Sequence, residues 1–544
     1  MTRLRFTSLL TIGTLAASLL FTGCSKGKSQ VDIATENQIL LYGNKAEPQG
    51  LDPHVVEGVG EHQIIASLLE GLVTEDPKTL RPIPGQAEKW EMSPDGKTYT
   101  FHIRKNALWS NGDPVTAQDF VDSYIRLLTP SLGSRYSYML HCIEGAADYN
   151  TGKLKDASKV GVRAIDAKTL EIRLNCPTAY LLDMMAQHYT WWPVHMPTIR
   201  KSGDPFTPGN NWTRPETFVG NGPFVLKEWR PNNVLRVRKS TNYWDAATVR
   251  LNGVDFLPIE SVDSEERAFR AGQLHRTEEV PAAKIDVYKK ENPNLLRIDP
   301  YLATYFFRFN TTLPQFKDKR VRKALTMAVD RKAIVETVTR GGQQPAYAFT
   351  PPDTKGYTSR AQVRFDVEGA KKLLADAGYA DGKGLTVEIH YNTSENHRAI
   401  AEAVQQMWKK NLGVDATLRN EEWKVYMATQ NATNYIVSRA GWTGDYPDPS
   451  TFHETFLSNS GNNRTGWDNP EYDRLVKEAA CMVDEKARYE NFQKAEAILL
   501  DELPLLPIYY YTRVFLLHPS VKNWHPTFLD HHPYKHVYLE APAK

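Results

Sequence analysis

The stretch Tyr301-Leu302-Ala303-Thr304-Tyr305-Phe306-Phe307-Arg308-Phe309 constrains the fold of this chain more than any other feature. It is apolar almost throughout, so it lacks the in-and-out alternation of a strand with one wet face. At nine residues it is too short to cross a bilayer, which takes roughly 20 apolar residues in a helix. A central strand buried on both faces fits it, and such strands belong to sheets with helices packed against them. A helix is predicted directly after it, over 318–340. There Val321, Ala324, Leu325, Ala328, Ile334 and Val338 share apolar spacing, and Arg320, Arg322 and Lys323 are expected to face elsewhere. The same order recurs over 385–412, where Ala399, Ala403, Val404, Met407 and Trp408 form the predicted helix stripe.

Other segments follow the same grammar. A short strand is predicted at 39–43, and a helix over 61–72 with Ile64, Ile65, Leu68, Leu69 and Leu72 on its buried face. Over 97–104, Tyr99, Phe101 and Ile103 alternate with polar residues as in a half-buried strand. Thr116 is placed to cap a helix running through Phe120, Tyr124 and Leu127. Further strands are expected at 169–174, 224–226 and 235–238, and the Pro- and Trp-rich stretch 189–208 fits a crossing between units. Strands alternating with helices favour mixed α/β lobes over a sandwich or propeller. A length of 544 residues, with 41% hydrophobic and 24% charged residues, allows two to four such units and excludes disorder.

The N-terminus reads as an export signal: Arg3 and Arg5 precede an apolar stretch from Leu9 to Phe21, and small residues and Cys24 follow. Removing residues 1–23 takes away two arginines and no acid, so the 66 basic against 64 acidic side chains become balanced. Binding to nucleic acid, which needs clustered surplus cations, is thereby disfavoured. Beyond the signal no apolar run is long enough to span a membrane. Residues 24–30 have the polar composition of a tether. Cys142, Cys176 and Cys481 remain, which permits one disulfide without saying which, and no CxxC spacing marks a metal site.

One segment carries candidate binding chemistry: Arg439-Ala440-Gly441-Trp442-Thr443-Gly444-Asp445-Tyr446-Pro447-Asp448-Pro449. Glycines permit close backbone approach, Trp442 offers a flat apolar wall, and Arg439 and Asp445 place opposite charges along an expected loop. A carboxylate there can hold an ammonium, and an arginine can clamp a carboxylate. The same two residues could instead form an internal ion pair that shapes the loop.

That segment, together with LDPHVVEG from Leu51, YTFHIRKNALWSNGDPVTAQDF from Tyr99, GNGPFVLKEW from Gly220 and KDKRVRKALTMAVDRKAI from Lys317, resembles the bacterial oligopeptide-binding proteins of peptide ABC importers. The motifs occur in the family's order over essentially the whole exported chain. Phe21-Thr22-Gly23-Cys24 resembles a lipobox, which implies lipidation of Cys24. The resemblance implies an α/β, three-domain periplasmic binding-protein fold. Lobe I would be built from 31–70, 194–300 and 512–544, an extra domain II from 71–193, and lobe III from 301–511. It implies a monomer in the periplasm or at the cell surface, attached to the membrane only through its lipid. That monomer would hand peptides to permease subunits powered by separate ATPases, with no cofactor and no resident metal.

Residue by residue, the resemblance gives Asp445 the peptide's ammonium and Arg439 its C-terminal side. Trp442, Gly441 and Trp423 would line pockets, Glu57 would be a pocket acid, and His397 would stand near the carboxylate. Tyr136 or Tyr138 would fill an early tyrosine position. Gln430 stands where close relatives carry a second arginine, so a hydrogen-bonding group replaces a charge there. Thr443 stands where some relatives have a cysteine, so their bridge does not carry over. A murein peptide, haem or nickel complex is the alternative cargo. A hydrolase is disfavoured, because no HExxH or GxSxG pattern occurs and the pairs His453-Glu454 and His531-His532 are weak metal candidates.

Overall fold

A computed structural model describes residues 27–541; the expected signal segment and Cys24 lie outside the described residues. A helix already begins at the end of the expected tether, 24–30. Ser29 caps the helix Gln30–Glu36, its hydroxyl accepting the Asp32 N–H while the Asp32 carboxylate accepts the Ser29 N–H.

Three sheets of four or more strands carry the fold among the described residues. In the first, Ile39–Gly43 runs parallel to Gly253–Leu257, and Val234–Lys239 and Phe224–Arg230 continue the sheet antiparallel. The second is wholly antiparallel, in the order Ala87–Met92, Thr98–Ile103, Thr169–Arg173, Val162–Asp166. The third has six strands, ordered Gln344–Pro345, Leu505–Leu516, Leu296–Phe309, Val437–Thr443, Val387–Asn392, Ala416–Glu421. Its last two pairings are parallel and the rest antiparallel.

The apolar run is the middle of the third sheet, as its composition demanded. Tyr305, Phe307 and Phe309 point to one face, into a core with Val321, Leu325, Val404 and Trp408. Phe306 points to the other, packing edge-on against Phe349 at 5.2 Å. Both faces are dry, so alternation in direction produces no alternation in polarity.

Three helices depart from expectation. The segment 318–340 is not one helix: Lys319–Met327 ends, Asp330 recaps the chain by accepting the Ala333 N–H, and a wider turn follows over Ile334–Thr339. Arg322 faces inward; it donates to the carbonyls of Glu502 and Leu503, closing a helix end where carbonyls lack partners. In Glu395–Leu412 the buried face is Ile400, Ala401, Val404, Trp408 and Leu412, a rotation that leaves Ala399 exposed. The helix predicted over 61–72 is Val59–Leu68. Leu69 is extended, and the Gly222 N–H donates to the Leu68 carbonyl at 2.9 Å.

Two long connections join the units. Leu296–Phe309 and Leu505–Leu516 pair as an antiparallel ribbon whose register shifts between Pro300 and Thr304. Its outer end reaches the first sheet's neighbourhood, where the Leu516 N–H donates to Thr277 Oγ1 at 2.9 Å. A disulfide joins Cys176, just past the antiparallel sheet, to Cys481 at the end of helix Pro470–Ala480, and leaves Cys142 free.

Candidate functional site

A cleft of about 270 Å³ lies between these units. Its walls draw on Lys45 and Glu57 from the N-terminal segments, on Tyr136 and His188 from the region of the antiparallel sheet, and on the strand Val437–Thr443 and its continuation.

That strand corrects the sequence reading of a loop. Arg439, Gly441 and Thr443 sit in register with Phe307, Tyr305 and Ala303, and only the residues after Thr443 leave the sheet. The sheet therefore fixes where Arg439 and Asp445 stand relative to one another. They do not pair. Arg439 donates from Nη2 to the Tyr511 hydroxyl at 2.8 Å and from Nη1 to Asn392 Oδ1 at 3.3 Å. Gly441 makes room for this: a Cβ there would come within 3.0 Å of the Tyr511 hydroxyl and 3.4 Å of Arg439 Nη2.

Asp445 is held by a tight local turn. Its N–H donates to Thr451 Oγ1 at 2.9 Å, and its Oδ1 lies 3.5 Å from His188 Nε2. Burial pushes its carboxyl well above the usual carboxylate range. Burial, reinforced by His531, pushes the His188 imidazole down to about 3, so the histidine supplies no positive charge. Asp445 is thus a partly buried acid with no cationic partner among the described residues.

Trp442 is buried, anchored by Nε1 donating to the Thr451 carbonyl at 2.9 Å, and stacks with Tyr136 at 6.3 Å between centroids. Of the two candidate tyrosines, Tyr136 lines the cleft and Tyr138 stacks 6.0 Å behind it. Trp423 opens the helix Trp423–Asn431, stacks on Tyr426 at 5.8 Å and lines the cleft. His397 is buried at the third position of its helix, its N–H donating to the Ser394 cap. Burial, then the Arg439 and Lys45 charges, hold its imidazole well below its ordinary value, and Nδ1 finds no partner among the described residues. It thus joins a wall position to a helix-cap setting.

Glu57 is not a free pocket acid: Arg464 pairs with it, and Asn431 Nδ2 donates to it at 3.1 Å. Gln430 is buried and faces two arginines, accepting at Oε1 from Arg308 Nη1 at 3.1 Å and Arg464 Nη1 at 3.3 Å. Sequence reading gave no site role to Tyr511, Asn392, His188, Arg464 and Arg308. Arg308 alone left a signal, as the one charge inside the apolar run. No cluster of three His, Cys, Asp or Glu side chains suited to a metal occurs among the described residues.

The family model described as bacterial extracellular solute-binding proteins, family 5 Middle, matches residues 81–464. The chain belongs to family 5 of the bacterial extracellular solute-binding proteins. It is 38% identical over 544 residues to the periplasmic oligopeptide-binding protein OppA of Salmonella typhimurium, covering 98% of this chain and 97% of that one. Among solved structures it is similar to the murein tripeptide binding protein MppA of Escherichia coli: TM-score 0.88, 38% identity, 92% of this chain and 98% of that one. The unliganded open form of MppA gives a TM-score of only 0.63 at the same 38% identity, covering 93% of this chain and 98% of that one. Identity being equal, the difference is one of shape: the units of this family 5 protein are not arranged as in that open form. The expected α/β periplasmic binding-protein fold, with several mixed-sheet lobes, is the fold of this chain.

Proposed function

We propose that this protein is a receptor that captures extended peptides between two lobes and delivers them to an ABC import permease driven by separate ATPase subunits. One observation carries the reading: a partly buried acid without a cation, Asp445, and a partly buried arginine without a carboxylate, Arg439, stand along a single strand and its continuation. A peptide's ammonium and carboxylate complete both. Main-chain bonds of the strand-addition type then hold whatever residues lie between, and water in the side-chain pockets adapts to their variety. No covalent step is needed.

Within this reading lobe I comprises 31–70, 194–300 and 512–544, domain II 71–193, and lobe III 301–511. The ribbon of Leu296–Phe309 and Leu505–Leu516 is then the hinge, because both chain crossings run through it. Closure about such a pair of crossings buries the ligand and opening releases it. A lipid on Cys24 would hold a monomer at a membrane facing the periplasm or cell surface. A murein peptide, which also carries peptide-like termini, is the second cargo; the 38% identity to MppA favours it over haem or nickel complexes.

Native mass spectrometry after mild purification, followed by release of small ligands, tests the assignment. Co-purified peptides are expected. Recovery of haem or a metal chelate without peptides would overturn it.

A further inference from the structure

Five cationic side chains line the cleft: Lys45, Arg308, Arg439, Arg464 and Arg513. Three have carboxylate partners: Lys45 pairs with Glu279, Arg464 with Glu57, and Arg513 with Glu278 and Asp530. Arg439 and Arg308 have none within 4.0 Å among the described residues. One of these two is accounted for by a peptide's C-terminal carboxylate; the other is left over.

The surroundings of Arg308 make it the better built of the two for a separate anion. Its backbone is in register with Ser438 in the middle of the six-stranded sheet, and its side chain is 3% exposed, with the guanidinium carbon 5.5 Å from the Phe306 ring centroid. Its hydrogen bond to the neutral Gln430 Oε1 satisfies one donor of five. Gln430 cannot turn away, because Nε2 donates to Ser438 Oγ and to the Arg439 carbonyl, both at 2.8 Å. Arg464 donates to the same amide oxygen, so two guanidiniums meet at Gln430, and one carboxylate, that of Glu57, pairs with Arg464. This corner holds one positive charge more than it can balance, and burial works against the charge on Arg308. A guanidinium does not shed its proton at physiological pH, so the imbalance is resolved only by an anion.

We propose that Arg308, oriented by Gln430 and flanked by Arg464, is a second anion anchor in the cleft, and that the preferred ligands are peptides bearing one carboxylate besides the C-terminal one. This rests on the peptide reading above. The second carboxylate comes from an aspartyl or glutamyl side chain, or from the free α-carboxylate of a γ-linked glutamyl residue. The chemistry at Arg308 is the same for both.

Calorimetry on the purified protein, stripped of bound ligand, tests it with matched tripeptides that carry glutamate or glutamine at each position in turn, plus the γ-linked isomers. At one position glutamate should bind at least tenfold tighter than glutamine, and the α- and γ-linked isomers then tell the two sources apart. In Arg308→Gln that ratio should collapse to within about twofold, and Arg308→Lys should keep part of it. A wild-type ratio near one at every position, with the glutamine peptides bound, overturns the proposal without touching the peptide reading. So does an affinity that follows peptide length and not acid content, since Arg308 would then be a C-terminal anchor. If no peptide of either series binds, the peptide reading falls and this inference with it.

Discussion

Asp445 Oδ1 lies 3.5 Å from His188 Nε2, yet the two are not an ion pair, because burial keeps the imidazole neutral down to about pH 3. The carboxyl is consequently an acid held without a cationic partner in the wall of the cleft. Its folded-state value is raised, so its contribution to stability is present below the unfolded value and lost as pH rises through the folded one. Asp445→Asn should therefore raise the melting temperature of the ligand-free protein at neutral pH, more than at pH 4. It should also weaken free-amine peptides by roughly 30-fold or more, the scale for removing one partner of a buried charge pair. Calorimetry against N-acetylated peptides checks the second half. Wild type should prefer the free amine and the variant should not; equal binding of both forms by wild type would show that Asp445 is no ammonium site.

Arg439 should set the response at the other terminus. Amidating a peptide's C-terminus and replacing Arg439 with Gln should each cost about 2–3 kcal/mol of binding free energy, and together little more than either alone. Tyr511→Phe removes the hydroxyl that receives Nη2 at 2.8 Å and should cost less, roughly 1 kcal/mol. A double-mutant cycle with free and amidated peptides reads this directly. Full additivity of the amide and Arg439→Gln would place the carboxylate elsewhere.

The fold was legible wherever burial is one-sided or total. The all-apolar run fitted a central strand best, and Thr116, with Asp119 three residues on, was placed to cap a helix, as it does. Arg322 was misplaced because periodicity assumes that a cation faces water, whereas this one ends in main-chain carbonyls contributed by residues about 180 positions away. Half of the site was legible for a related reason. Arg439, Gly441, Trp442 and Asp445 come from one continuous strand and turn, so a motif can hold them. His188, Tyr511, Arg464 and Arg308 meet there only through sheet pairing and lobe contact, which leave no local pattern. The exchange at Gln430 looked like a lost charge, but the charge is present on Arg308 in the neighbouring strand.

The Cys176–Cys481 disulfide ties the antiparallel-sheet unit to the six-stranded unit across 305 residues of sequence. Sequence allowed one bridge among three cysteines; the fold selects this one by bringing the two Cα atoms to 5.4 Å. Replacing both with Ser should lower stability by about 2–4 kcal/mol. If lobe III swings away from domain II on opening, the bridge also limits that swing. Small-angle scattering on ligand-free protein should then give a larger radius of gyration for the double Ser variant than for the oxidised protein, with equal values once ligand is added. Equal radii without ligand would mean that opening does not separate these two units.

Glu454 makes the same interface pH-sensitive. It lies in the chain of the six-stranded unit and accepts hydrogen bonds from Tyr180 at 3.2 Å and Tyr446 at 3.1 Å, the former across the interface. Burial pushes its carboxyl up to about 7, opposed by those two hydroxyls; Asp448 adds to the rise, and Arg488, paired with Asp448, works against it. A folded value above the ordinary 4.5 means that the folded state holds a proton which the unfolded chain has released. Stability from this group is therefore complete below about 4.5, declines as pH rises through about 7, and then levels off. The full span corresponds to about 3 kcal/mol at most, since each tenfold difference in proton affinity between the folded and unfolded chains is worth about 1.4 kcal/mol. Glu454→Gln keeps an acceptor for a tyrosine hydroxyl and cannot ionise. Denaturant unfolding from pH 4 to 8 should show the variant gaining on wild type by about 1–3 kcal/mol between pH 4.5 and 7, with no further gain above. A difference that stays flat across that window would mean that Glu454 is ionised in the folded protein throughout, and that the two tyrosines, not a proton, satisfy it.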